Sequence, residues 1–237
     1  MANGGWSSPD EAVPNFDELI DNQMTGHTWL QKEFGYTPKV GWNLNSLAHT
    51  STNSLLFAEL GYEAQFMAKM DKSILDKFSQ GQNNLFIQKP SLNQNDKQIL
   101  TFVMNNGSAF PDALNFDVNV PGRSGLHDAP IVTDQNSKEF NAPYVCNKLI
   151  NTAIEFSNQQ KYNDIMIPMG EEFAYENAYV TFLSMERVLD YIKKNYKNLN
   201  MDFKFSTPSE YIKAVKKDVD VSKLALYQGD FLPFQDK

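Results

Sequence analysis

An α/β domain built on parallel strands is the fold class predicted, and three observations lead to it. Short apolar runs of strand type alternate with stretches of helical period along most of the chain. Helix-like stretches follow the strand-like runs, the arrangement by which parallel neighbours are joined. The length of 237 residues suits one domain of ordinary to large size, and 41% hydrophobic content with 17 Phe, 10 Tyr and 3 Trp supplies a core for it.

Taken in order, Phe16, Leu19, Ile20, Gln23, Met24, Leu30 and Phe34 recur mostly at three- and four-residue steps, with Asp17 and Glu18 in the first turn and Gly35 as the stop. That predicts a helix over 15–34. Residues 39–44 read as a strand, 52–60 as a helix ended by Gly61, 63–68 as the next strand and 71–81 as a further helix. A third strand is expected over 99–104, closed by the turn-forming Asn105-Asn106-Gly107. Residues 108–143, rich in Asn, Asp, Gly and Pro, read as a long surface excursion. Beyond it come a helix over 144–160, a strand over 165–169, a helix over 176–196 and a strand over 201–206. Thr207-Pro208-Ser209-Glu210 then combines an N-cap, proline at the first helical position and Glu three residues after the cap, which starts another helix.

Charge and cysteine usage narrow the function classes. Twenty-one basic against 29 acidic residues leave a net charge of -8, without a dense Lys/Arg block, so nucleic acid and anionic membrane surfaces are disfavoured as partners. One cysteine, Cys146, permits no intrachain disulfide and no thiolate zinc cage. The first residues carry neither the basic nor the apolar region of a signal peptide, and no run of eighteen apolar residues occurs. The run Lys193-Lys194-Asn195-Tyr196-Lys197 reads as the solvated positive end of a helix, and Asn106-Gly107-Ser108 as a formal glycosylation triplet.

In parallel α/β folds ligands sit at the C-terminal ends of the strands. Those ends carry Asn43 and Asn45; Lys69 and Asp71; Asn105, Asn106 and Ser108; and Glu171 with Glu172. Amides, carboxylates and a lysine suit a hydroxyl-rich ligand, and Trp42, Phe110 or Phe173 could offer a ring face to it. Strand ends are polar in any protein, so this set alone does not assign a ligand.

Several blocks in order resemble the catalytic domain of glycoside hydrolase family 38, the α-mannosidases of lysosomal and Golgi type. Asn3-Gly4-Gly5-Trp6 and Asp10-Glu11-Ala12 match the family's N-G-G-W and D-E-A, and Gln23-Met24-Thr25 with Trp29-Leu30 continues the match. Trp42-Asn43-Leu44-Asn45-Ser46-Leu47-Ala48-His49-Thr50 is similar to W-x-I-D-P-F-G-H-S. Met169-Gly170-Glu171-Glu172-Phe173-Ala174-Tyr175-Glu176-Asn177-Ala178 resembles M-G-S-D-F-x-Y-E-N-A, and Gly229-Asp230-Phe231-Leu232-Pro233-Phe234 resembles G-D-F-F-P-Y.

The resemblance implies a seven-stranded, parallel β/α barrel-like domain, a retaining cleavage of terminal α-mannose, and a zinc ion. In the family the zinc is held by an H-x-D pair near the domain start, the Asp of the W-x-I-D block and a later His. Retention uses two carboxyl groups about 5 to 5.5 Å apart, one attacking the anomeric carbon and one shuttling a proton. On this reading residues 1–237 are a segment lacking the first strand and the closing segment, incomplete at both ends, with unpaired strand edges through which it self-associates. A mannose-containing glycan is the expected partner, with no nucleic acid and no membrane. The compartment implied is lysosomal, vacuolar or secretory.

Departures from the family pattern fall on its chemistry. The nucleophile position, which is also a metal-ligand position, is Asn45; its amide cannot form a glycosyl ester and offers only a weak metal ligand. Glu172 keeps a carboxyl at the acid/base position with one methylene added. Lys69 replaces a site arginine and Ser108 a tyrosine, while Trp42 and Glu171 complete the expected substrate contacts. Of His27, His49 and His127, His49 matches a family histidine that is not a metal ligand and reads as a hydrogen-bonded structural residue. The expectation is an α-mannosidase-family domain with impaired catalysis and doubtful zinc binding. The alternative is a non-catalytic mannose-binding or barrel-completing partner.

Overall fold

Asn15 begins the first helix with its N–H bonded to the Glu18 carboxylate at 2.8 Å, and Gly35 ends it in the left-handed conformation at φ 61°. This α1, Phe16–Phe34, opens a computed structural model that describes residues 1–91, 93, 96–104, 107, 109–111, 114–116, 130–170 and 174–231. The remaining elements follow as β1 (Val40–Asn43), α2 (Ser51–Glu59), β2 (Ala64–Met67), α3 (Lys72–Gly81), β3 (Leu85–Gln88), β4 (Ile99–Val103), α4 (Ala142–Ser157), α5 (Ala178–Asn195), α6 (Pro208–Asp218) and β5 (Leu226–Tyr227). The protein is mixed α/β with a mostly parallel sheet.

Strand order in that sheet is β1-β2-β4-β3-β5. β1 pairs β2 in parallel, β2 pairs β4 in parallel, and β3 pairs β5 in parallel. β3 runs antiparallel to β4, with Leu85 opposite Phe102, a departure from the all-parallel expectation. Only ten residues, 89–98, separate β3 from β4 in sequence, fewer than the crossover that a parallel neighbour needs. Every residue of β3 is buried, so its short apolar run lacks the polar alternation that would announce it.

Register places Trp42 beside Phe66 and Phe66 beside Phe102, which builds an aromatic ladder across three strands. Ring centroids are 5.2 Å apart for the first pair and 4.7 Å for the second, and Tyr211 of α6 lies 5.4 Å from Phe102. The same sheet buries a polar cluster: the Gln65 amide donates to Ser54 Oγ at 3.0 Å, Gln88 Oε1 at 2.9 Å and Thr101 Oγ1 at 2.9 Å. Such bonds offset the cost of removing amides from water.

The chain divides into two units. One comprises 1–107, 157–164 and 207–237 and holds the sheet; the other comprises 108–156 and 165–206. The second has its own core, in which Val145, Cys146, Leu149 and Ile150 of α4 meet Met185, Val188 and Ile192 of α5. Residues 165–169 and 201–206, expected as strands, carry no strand structure. Ile167, Met169 and Phe203 pack against that helical core instead, and burial alone yields the same apolar run as a strand would. The capping box is present as expected, with Thr207 N donating to Glu210 at 3.0 Å and Glu210 N to Thr207 Oγ1 at 3.3 Å. Lys193 and Lys194 lie in the last turn of α5.

The outer edge of β1 is not bare. Asn3 N–H donates to the Val40 carbonyl at 2.7 Å, and the Asn3 side-chain oxygen accepts from Trp42 N at 3.3 Å. A left-handed backbone, φ 59°, turns both groups of Asn3 toward the strand. Among the described residues no helix is long and apolar enough to cross a membrane.

Candidate functional site at the strand ends

The turn leaving β1 is built by two acids that sequence reasoning treated only as part of a motif. Glu11 is buried, and its Oε1 accepts from Asn43 Nδ2 at 2.5 Å while its Oε2 accepts from Thr50 N at 2.7 Å and Thr50 Oγ1 at 3.2 Å. Both ends of the turn 43–50 are therefore tied to one carboxylate. Glu11 N donates to Ser46 Oγ at 2.8 Å, which fixes the middle. Asp10 accepts from Leu47 N at 2.9 Å and Ala12 N at 3.2 Å. Its carboxyl is held below the ordinary value: burial opposes ionisation, but the Leu47 and Ala12 amides, the Ser46 hydroxyl and the field of His49 outweigh it. The readable signal was two adjacent acids between a glycine-rich start and apolar Ala12-Val13.

His49 is fully buried. Its Nε2 bonds the Ala68 carbonyl, which only accepts, so that nitrogen carries the proton. Backbone bonds of 3.0 and 2.8 Å also join His49 to Phe231. Thus His49 ties the turn after β1 to the end of β2 and to the segment beside β5.

Within this frame Asn45 is exposed and Lys69 half-exposed, each just past the C-terminal end of its strand. The Lys69 ammonium donates directly to Asn45 Oδ1. Lys69 takes a left-handed backbone, φ 54°, which costs a side-chain-bearing residue on the order of 1 kcal/mol or more. Trp42, expected to face substrate, is half-buried in the aromatic ladder. Ser108, Glu171, Glu172, Asn105, Asn106, Phe173 and His127 lie outside the described residues.

The donor set suits zinc poorly. The oxygen at position 45 belongs to a neutral amide and already accepts from a cation, so a metal ion would have to displace the ammonium. Among the described residues no three His, Cys, Asp or Glu side chains stand together as a metal site.

Comparison with known proteins places the whole chain. The family model for the glycosyl hydrolases family 38 N-terminal domain matches residues 1–237. This chain belongs to glycosyl hydrolase family 38. Its relatives in that family include the lysosomal alpha-mannosidase of Dictyostelium discoideum, 29% identical over 90% of this chain and 20% of that protein. The Homo sapiens lysosomal alpha-mannosidase is 27% identical over 100% of this chain and 23% of its own length. The chain thus spans about a fifth of these family 38 proteins. A solved alpha-mannosidase from Enterococcus faecalis shares the fold, with a TM-score of 0.64 and 13% identity over 96% of this chain and 22% of that one.

Proposed function

We propose that this family 38 domain recognises mannose-containing glycans at the C-terminal ends of β1 and β2 and is impaired in cleaving them. The observation that carries this reading is the Lys69 bond to Asn45 Oδ1 at the position where the family resemblance puts a nucleophilic carboxylate. A retaining glycosidase needs an anion there to attack the anomeric carbon and to form a glycosyl ester that water later opens. A carboxamide spreads its nitrogen lone pair into the carbonyl, carries no charge, and here turns its oxygen to an ammonium. Glu172 remains as the acid/base candidate, with Trp42, Ser108 and Glu171 as substrate contacts by resemblance. Proton transfer without a nucleophile does not complete the retaining reaction.

Several finer statements belong to the same proposal. The sheet is part of a seven-stranded barrel of the family type. The described residues alone do not retain zinc, since their donor set does not fit it. The relatives' names as lysosomal alpha-mannosidases support a lysosomal or secretory location and a mannose-bearing partner.

The test is hydrolysis of an aryl α-mannoside by this chain with zinc added. The expected result is no turnover above background together with measurable heat on titrating mannose or an oligomannose. Turnover at ordinary enzyme rates that a chelator abolishes would overturn the impaired reading.

A further inference from the structure

We propose that the Asn45–Lys69 pair recognises the acid group of an anionic sugar, a hexose bearing a carboxylate or a phosphate, in preference to a neutral one. This inference rests on the carbohydrate-binding reading above and names the ligand class for the same strand-end site.

An ammonium can only donate, so its bond to Asn45 obliges the amide to present its oxygen to Lys69 and turn its NH2 away. What the pair then offers a ligand is an excess of donors: two remaining N–H groups on Lys69 and two on Asn45, against one free lone pair on the Asn45 oxygen. A sugar hydroxyl both donates and accepts, and only one such proton finds an acceptor in this set. A carboxylate or phosphate oxygen only accepts and matches it, with the stronger bonds that a charged partner gives.

The local charge of the pair itself points the same way. An aspartate at position 45 would pair with Lys69 and cancel it, whereas the amide leaves the positive charge whole. Among the described residues Lys69 forms no ion pair. Carboxylates near it in the chain or in the turn are engaged elsewhere: Asp71 accepts from Ser73 N at 2.9 Å, Asp10 from Leu47 N, and Glu11 from Asn43 and Thr50. Lys69 also holds a left-handed backbone that glycine would adopt freely, so its side chain stands there at a cost in local strain.

Calorimetric titration of this chain with mannose 6-phosphate, mannuronate, mannose and inorganic phosphate tests the proposal. One or both acid sugars should bind at least about tenfold tighter than mannose, the span of a charge-assisted hydrogen bond, and the preference should shrink as salt rises. The two acid arms identify which group is preferred. Lys69→Met should remove the preference by deleting the donor, and Asn45→Asp should remove it by cancelling the charge. Both positions are at the surface, and an unchanged melting temperature confirms that each variant is folded. Mannose binding as tightly as the acid sugars overturns this inference but leaves the glycan reading standing. A preference that survives both substitutions overturns it, as does inorganic phosphate equalling the sugar phosphate. Binding of no sugar at all overturns both.

Discussion

Glu11 Oε1 lies 3.4 Å from His49 Nδ1, and the two side chains are 1% and 0% exposed. With Asn43 and Thr50 on the same carboxylate, this contact gathers the end of β1, the N-cap of α2 and, through His49 and Ala68, the end of β2. The exposed Asn45 is carried on a turn that a buried acid holds from beneath.

Removing that acid should unravel the turn. Glu11→Ala leaves the Asn43 amide and Thr50 N–H without their acceptor, and each buried donor left unsatisfied costs about 1–3 kcal/mol. Glu11→Gln keeps one acceptor oxygen and should cost less. Urea midpoints for the two variants check the order; equal midpoints would contradict the role assigned to the second oxygen.

Gly26 lets the N-terminal segment lie on α1. A Cβ there would stand 2.1 Å from the Gly4 carbonyl oxygen and 2.5 Å from Trp6 N, backbone atoms that cannot rotate aside. Gly26→Ala should therefore destabilise the protein by at least about 2 kcal/mol, although alanine is the better helix former. A melting temperature at or above the parent's would show that the segment can lift away freely.

Lys69 should behave as a position where conformation and chemistry oppose each other. Its φ of 54° suits glycine, so Lys69→Gly should be more stable than Lys69→Val by about 1–2 kcal/mol, because a β-branched residue fits that region worst. Denaturation of the pair measures the difference directly. Equal stabilities would mean that the backbone relaxes once the lysine is gone.

Alkaline pH should weaken the fold. Burial pushes the Cys146 thiol up to about 12 from 9.0, and burial pushes the Tyr162 phenol up to about 12 from 10.0 despite hydrogen bonds from Tyr211 and Asn84. Both acids keep their protons in the folded chain after the unfolded chain has begun to lose them. Their contribution is complete below pH 9 and declines as pH rises from about 9 to 12. Urea midpoints should be flat from pH 7 to 8.5 and fall above that. Under native conditions at pH 8, a thiol reagent should modify Cys146 far more slowly than in urea.

Much of the architecture is set by local interactions and was legible for that reason. Gly35 ends α1 because it accepts a left-handed φ, and Thr207 with Glu210 starts α6 because each satisfies the other's backbone N–H. The strands at 40–43, 64–67 and 99–103 were equally readable from their bounded apolar runs. That residue 45 is an amide also needed only the sequence, since an amide lacks a nucleophilic anion wherever it is placed. Residues 165–169 misled because burial in a helical core and burial in a sheet select the same side chains. Tertiary structure alone decided that β3 opposes β4, that Glu11 lies under a turn more than thirty residues away in sequence, and that the Lys69 ammonium meets the Asn45 oxygen. Contacts of that kind depend on which strands become neighbours, and neighbours are chosen by the burial of the whole chain rather than by any run of residues within it.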